Sequence, residues 1–245
     1  MIEEMDPVPS WYDKGQSVHI PQCAYLLDGG DATLLLDTLS PASTGQILSE
    51  LDVLLEDDLD YLVVSHPDVP HAGGTSAICA EYDPTVVAPR YGDDHELYRL
   101  DDAYLVGEGD SIDLGEYVVD FHEATFLDAP VSLWMSERTE RMLFTVDWMG
   151  FPHLESEQLR FVDELDAELD GTRLLQFHGR VLFWHQYVDV EKVQREIEQV
   201  KHTYDPAVIL PAHGLVIREN PRKYIELLKD VVAEIERRDR IGALG

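Results

Sequence analysis

Sheet-forming segments recur in both halves of this 245-residue chain, each half closes in helical segments, and histidines or aspartates stand at strand ends. That arrangement limits the fold more than any other feature, because strand ends along one edge of a sheet converge while helices cover the sheet faces. The first half opens with "SVHIPQCAYLLDGGDATLLLDT", two strands joined at Asp28-Gly29-Gly30-Asp31, whose glycines supply the positive φ of a hairpin turn. From Ser43 to Glu56, Ile47, Leu48, Leu51, Val53, Leu54 and Leu55 recur at helical spacing, with Ser43 or Thr44 as cap. "LDYLVVSH" reads as a buried strand, "HAGGTSAICAEYD" as a helix and "TVVAP" as another strand, after which an acidic stretch from Asp93 to Asp102 crosses the surface. Short alternating runs from Tyr104 to Asp147 predict an antiparallel meander. Helical patterns follow from Glu157 to about Tyr187 and from Val190 to Tyr204, then the strand and loop "AVILPAHG" and a terminal helix in "RKYIELLKDVVAEIERR". Two sheets face to face with helices outside, an α/β sandwich of αββα type forming one domain over residues 1–245, account for this order.

Charge decides which partners such a domain can meet. Asp and Glu number 49 against 18 Lys and Arg, a formal net charge of -31, and the acids are spread along the chain. Such a surface repels nucleic acid and anionic membranes, which are excluded as partners. Self-repulsion at this density is best tolerated where salt screens it, so a halophilic source is expected. Cys23 and Cys79 are too few and too far apart for a disulfide framework and read as buried free thiols of a reducing cytoplasm. The acidic N-terminus "MIEEMDPVPSWYDKG" lacks the apolar core of a signal peptide, and no apolar run reaches membrane-spanning length. The expectation is a soluble, cytoplasmic protein.

The chemistry gathers at the strand ends. His66, Asp68 and His71 follow the "LDYLVV" strand, Asp128 lies inside the meander, Asp147 ends a strand, and His213 sits in "LPAHG". A lone loop histidine is more often solvated than ligating, and an aspartate before a turn usually caps it. A His-x-Asp-x-x-His cluster, a strand-terminal Asp and a His-Gly loop in one chain shift the balance toward a metal site, for which imidazole with carboxylate suits iron, manganese or zinc. His178 and His185, seven residues apart, read first as a face against the core and second as a wall over the metals. His122 and His153 are weaker candidates.

These segments resemble the metallo-β-lactamase superfamily and, within it, the diiron domain of flavodiiron proteins. "SHPDVPHAGG" resembles the superfamily's His-x-His-x-Asp-His followed by Ala-Gly-Gly, with Asp68 at the position where the diiron branch carries Glu. "ATFLDAPVSLWM" resembles a ligand segment and places Asp128 where the family has a His, "MLFTVDWMG" makes Asp147 the metal-bridging carboxylate, and "ILPAHGLVIR" supplies His213. The resemblance implies two divalent metal ions, iron in the first place and zinc or manganese as alternatives. One ion takes His66, Asp68, Asp128 and Asp147, and the other His71, Asp147 and His213. Pro70 departs from the pattern, standing where the family has a ligating Asp, and with Gly245 the last residue the expectation is a stand-alone domain without the family's FMN-bearing flavodoxin domain.

The implied activity is the binding or reduction of dioxygen or nitric oxide. Electrons would come from an external flavoprotein or rubredoxin-like donor, and the partners expected are a small-molecule substrate and a second copy in a homodimer. Two other readings stand beside it. One is a metal-dependent hydrolase of an ester, lactone or thioester. The other is a non-catalytic sensor or binding protein with a degenerate metal site.

Overall fold

The computed structural model describes residues 17–55, 58–91 and 102–238. Its strands are β1 (Val18–His19), β2 (Tyr25–Asp28), β3 (Thr33–Leu36), β4 (Tyr61–Val63), β5 (Thr85–Pro89), β6 (Tyr104–Val106), β7 (Ser111–Asp113), β8 (Val118–Glu123), β9 (Leu133–Glu137), β10 (Met142–Val146), β11 (His153–Leu154) and β12 (Val208–Pro211). The helices are α1 (Thr44–Leu54), α2 (Val69–Ala72), α3 (Thr75–Tyr82), α4 (Gly171–Val181), α5 (Val190–Tyr204) and α6 (Pro221–Arg237). No helix among the described residues is long and apolar enough to cross a membrane.

The chain divides into two compact units. The first comprises Gln22–Ala124 and Ala129–Thr139. Its sheet runs β2-β3-β4-β5-β6, the hairpin β2-β3 antiparallel and the rest parallel. Parallel strands are buried on both faces, which is why β4 and β5 read as continuous apolar runs. On one face Leu35, Ile47, Leu51, Leu59, Leu62 and Ile78 form a cluster that α1 and α3 close. Burying each such side chain fully contributes about 1.5–3 kcal/mol. Val53 and Leu54, part of the same apolar run in sequence, lie exposed at the end of α1. The antiparallel ribbon β7-β8-β9 belongs to the same unit. Its first turn meets the hairpin at an isolated Gly30–Gly115 bridge, and a Cβ on Gly29 would collide with the Leu114 carbonyl oxygen, so only glycine fits there.

The second unit comprises Met1–Pro21, Thr125–Asp128 and Glu140–Gly245. In it β10 and β12 pair in parallel, with the register shifting between Phe144 and Val146, and β1 pairs with β11. Helix α6 is amphipathic, burying Tyr224, Ile225, Leu228, Val231, Val232 and Ile235. The α5 face of Val193, Ile197 and Val200 is likewise buried, and Gln194 Nε2 donates to the Lys229 carbonyl of α6.

Four expectations change. The Tyr104–Asp147 meander starts only at β7, because β6 joins the first sheet parallel to β5, while β7, β8 and β9 pair antiparallel in turn. The helix expected from Glu157 to Tyr187 is confined to Gly171–Val181, where Asp170 caps it by accepting from the backbone N–H groups of Thr172 and Arg173, with short 3-10 turns on either side. His153 and Leu154, expected in a loop, form β11. Cys23 and Cys79 form no disulfide and are only half-buried. The surface crossing expected from Asp93 lies outside the described residues up to position 101.

Candidate metal centre

The six residues singled out in the sequence fall into both units, three in each. In the first, β4 runs out at Val63 and the chain passes through Ser65 and His66 into α2, whose first residues are Val69 and Pro70 behind the N-cap Asp68. Proline is tolerated at such a helix start because its missing N–H would have no intrahelical partner. The turn carries His71 back toward β3, where its carbonyl accepts from both the backbone N–H of Thr38 (2.8 Å) and its hydroxyl (2.9 Å). His66, Asp68 and His71 are thereby gathered. The imidazole rings of His66 and His71 stand 3.9 Å apart between centroids, and His66 Nε2 lies 3.9 Å from Asp68 Oδ2. Both histidines are buried, whereas the Asp68 side chain is 58% exposed.

Beneath them lies a carboxylate that the sequence alone does not single out. Asp37, at the end of β3, is 1% exposed and has φ of 63°, a strained left-handed conformation for a residue with a Cβ. Its Oδ2 sits 2.7 Å from His71 Nδ1, and its Oδ1 accepts from the backbone N–H of Ser65 at 2.9 Å. The Ser65 hydroxyl donates to Asp37 Oδ2 at 3.0 Å and lies 3.2 Å from His66 Nδ1. A carboxylate accepts only, so Nδ1 of His71 carries the proton and Nε2 bears the lone pair. With the hydroxyl proton of Ser65 directed to Asp37, its oxygen accepts from His66 Nδ1, and His66 Nε2 is left basic in the same way. Carboxylate–imidazole pairs of this kind fix the tautomer of metal-ligating histidines. The signal available in sequence was the apolar run "LLLDT" ending abruptly on an acid.

In the second unit Asp147 follows β10 directly. Val146 has φ of 53° and Met149 φ of 68°, an uncommon backbone for a β-branched residue and the kind of strain that clusters at functional sites. A Cβ on Gly150 would collide with the Phe177 ring, so this turn packs directly on α4. His213, after β12, places Nε2 3.3 Å from Asp147 Oδ1 and Nδ1 2.8 Å from the Pro21 carbonyl oxygen. That carbonyl can only accept, so Nδ1 carries the proton. In the neutral ring Nε2 would then face a carboxylate oxygen lone pair to lone pair, a contact that requires a cation, either a second proton on the ring or a metal ion. Asp128 is half-buried on the short Thr125–Asp128 segment, anchored by Trp184 Nε1 donating to the Leu127 carbonyl.

The three histidines thus share one pattern, Nδ1 held by an oxygen and Nε2 presented, together with carboxylates at Asp68, Asp128 and Asp147. Each unit offers imidazole and carboxylate donors, a chemistry that suits a hard or borderline divalent metal. His178 and His185 do not share it. Both are buried in the second unit, neither ring makes a hydrogen bond among the described residues, and burial lowers their pKa from 6.5 to about 3 and about 4 respectively, that of His178 further depressed by its neighbour His185. They lie against aromatic rings, His178 on Phe177 and His185 on Phe126 and Trp184. His122 and His153 are engaged elsewhere, with the Ser136 hydroxyl and the Leu154 carbonyl.

Residues 20–187 match the profile of the metallo-beta-lactamase superfamily. The sequence is 28% identical over 209 residues to a nitric oxide reductase of Moorella thermoacetica, covering 83% of this chain and 51% of that protein. It is 24% identical over 203 residues to the rubredoxin-oxygen oxidoreductase of Megalodesulfovibrio gigas, covering 80% of this chain and 48% of that protein. Among solved structures, rubredoxin oxygen:oxidoreductase from Desulfovibrio gigas superposes with a TM-score of 0.75 at 22% identity, over 98% of this chain and 58% of that one. A metallo-beta-lactamase from Pontibacter korlensis gives 0.63 at 13% identity, over 89% and 93%. The chain spans about half the length of the curated relatives it matches.

Proposed function

This chain belongs to the metallo-beta-lactamase superfamily, and from that premise we propose that it is a flavodiiron-type metal-binding domain, residues 1–245, that binds or reduces dioxygen or nitric oxide. His66, Asp68, Asp128 and Asp147 would hold one divalent ion, and His71, Asp147 and His213 the other. Iron is the metal favoured, since its two oxidation states would supply the redox chemistry. What the chain's own residues contribute is orientation. Asp37 and the Pro21 carbonyl fix the tautomers of His71 and His213, and the strained turn at Val146 aims the Asp147 carboxylate. Electrons come from a separate flavoprotein or a rubredoxin-like donor. The Megalodesulfovibrio relative, a rubredoxin-oxygen oxidoreductase, supports that choice of donor, and the acidic surface suits a saline cytoplasm.

The observation that carries this reading is the contact of His213 Nε2 with Asp147 Oδ1, both buried, on a ring whose proton is committed to Nδ1. The test is anaerobic loading with ferrous iron, reduction, and exposure to nitric oxide or dioxygen, followed by stopped-flow spectroscopy. Consumption of either gas in step with oxidation of the reduced donor is expected. A second reading, hydrolysis of an ester, lactone or thioester with zinc in the site, is favoured by the likeness to the Pontibacter enzyme, nearly all of whose chain is covered. Zinc-dependent esterase activity with no reaction of the iron form would decide for it.

A further inference from the structure

A cleft in the second unit, at the start of β10 and β12 and so at the opposite strand ends from Asp147 and His213, concentrates the positive charge that this chain otherwise lacks. It encloses about 440 Å³ beside the N-terminus of α6, and Arg141, Arg218, Arg222 and Lys223 are four of its nine lining residues, a proportion far above the 18 Lys and Arg in 245 of the whole sequence. We infer that this cleft binds a small phosphorylated molecule, its phosphoryl group seated among the three guanidiniums at the start of α6. Such a site is independent of the metal chemistry.

Three features support it. First, α6 begins against the usual charge preference. A helix N-terminus favours acids, whose negative charge meets the positive end of the backbone dipole. Here the first turn contains none and carries Arg222 and Lys223, while Asn220 at the N-cap makes no side-chain capping bond. An anion at that end would turn both departures into favourable contacts, since helix N-termini and arginine forks are the usual phosphate donors. Second, Arg218 is held in place for the task, its guanidinium stacked 3.7 Å from the centre of the Phe161 ring. Third, the volume is that of a ligand pocket for a small molecule, and a nucleic-acid chain is disfavoured by the acidic surface around it.

The guanidiniums are not idle in the structure. Arg141 and Arg222 both pair with Asp205, Arg218 with Asp163 and Glu164, and Lys223 with Glu168. All four cationic side chains are 40–54% exposed, and exposed pairs of this kind are weak because solvent screens them. A phosphate that takes two or three charge-assisted bonds at once can displace them. Asp205, pinned between two arginines, serves as the internal anion that keeps the cleft assembled until the ligand enters.

The experiment is calorimetric titration of the whole protein at pH 7.5, at low and moderate salt, with inorganic pyrophosphate, and with citrate as a carboxylate of similar charge. Saturable pyrophosphate binding is expected, weakened at least tenfold by Arg218→Gln and by Arg222→Gln and unaffected by Arg180→Gln, an exposed control. Circular dichroism confirms that the variants fold. Citrate binding as tight as pyrophosphate would overturn the phosphate assignment, and pyrophosphate binding that both Arg218→Gln and Arg222→Gln leave intact would overturn the site.

Discussion

The buried histidines of this protein are of two kinds. His66, His71 and His213 each have Nδ1 against an oxygen, of Ser65, Asp37 and Pro21 respectively, so that Nε2 is the nitrogen left to act. His178 and His185 are as deeply buried, yet neither ring nitrogen of either has a hydrogen-bond partner among the described residues. Burial alone therefore says little about role. A histidine built to ligate is held by its far nitrogen, whereas a histidine that serves as filler is held by ring contacts and stays neutral because protonation in that setting is too unfavourable.

The largest effect expected from this contrast is at Asp147, the carboxylate shared by both proposed ions. Asp147→Ala should strip metal from both positions, read as metal per chain by inductively coupled plasma mass spectrometry, whereas Asp68→Ala, at a mostly exposed side chain, should deplete one. Equal losses from the two variants would break the assignment of Asp147 as the shared ligand.

Asp37→Ala comes next. It removes the acceptor that orients His71 and leaves the Ser65 N–H unpaired, so metal affinity should fall roughly 10–100-fold and stability by about 1–3 kcal/mol. Competition with a chelator and chemical denaturation measure the two. An affinity equal to wild type would mean that His71 needs no orienting partner, and the distinction between the two kinds of histidine would lose its basis.

The filler histidines give a smaller and oppositely directed effect, which pH makes visible. Their folded pKa values, about 3 and about 4, lie below the ordinary 6.5, so the unfolded chain binds protons first. Their stabilising effect is complete above neutrality and is lost as pH falls through 6.5 toward 4, with a slope approaching ~1.4 kcal/mol per pH unit for each group. Denaturation midpoints between pH 7.5 and 5 should fall accordingly, and His178→Leu should flatten the decline. His178→Leu should also leave metal content untouched and stability equal or up to ~1 kcal/mol higher at pH 7.5, since it removes unsatisfied polar atoms. A loss of metal in that variant would move His178 into the first group.

Local patterns are legible in the sequence, and cross-chain pairings are not. Helix α5 reads as Val190–Tyr204 and is found so, because a strong amphipathic period and the Asp189 cap are written in consecutive residues. Strand β6 is recognisable as a strand, but its neighbour is not. "YLV" reads the same in either sheet, and its parallel partner β5 is chosen by tertiary packing. The helix expected from Glu157 is overextended because the apolar residues there serve loops and 3-10 turns, which share local spacing with a helix. The metal-binding candidates stand out because their residue types are rare together. Asp37 and Ser65 escape because an orienting carboxylate has no spacing of its own, and lies 34 residues from the histidine it holds. Pro70 reads in sequence only as a lost ligand, while in the structure it also starts α2.

Whether these side chains hold a transition metal is decided by the elemental content of protein purified under reducing conditions and loaded anaerobically with ferrous iron. Tightly bound iron is expected in the wild type, diminished in His71→Ala and in His213→Ala, retained in His178→Leu, and bound more tightly when Pro70→Asp adds a carboxylate. A wild type that retains neither iron nor zinc after loading, together with a Pro70→Asp variant that gains none, would contradict that expectation and leave the loop a remnant of a metal site.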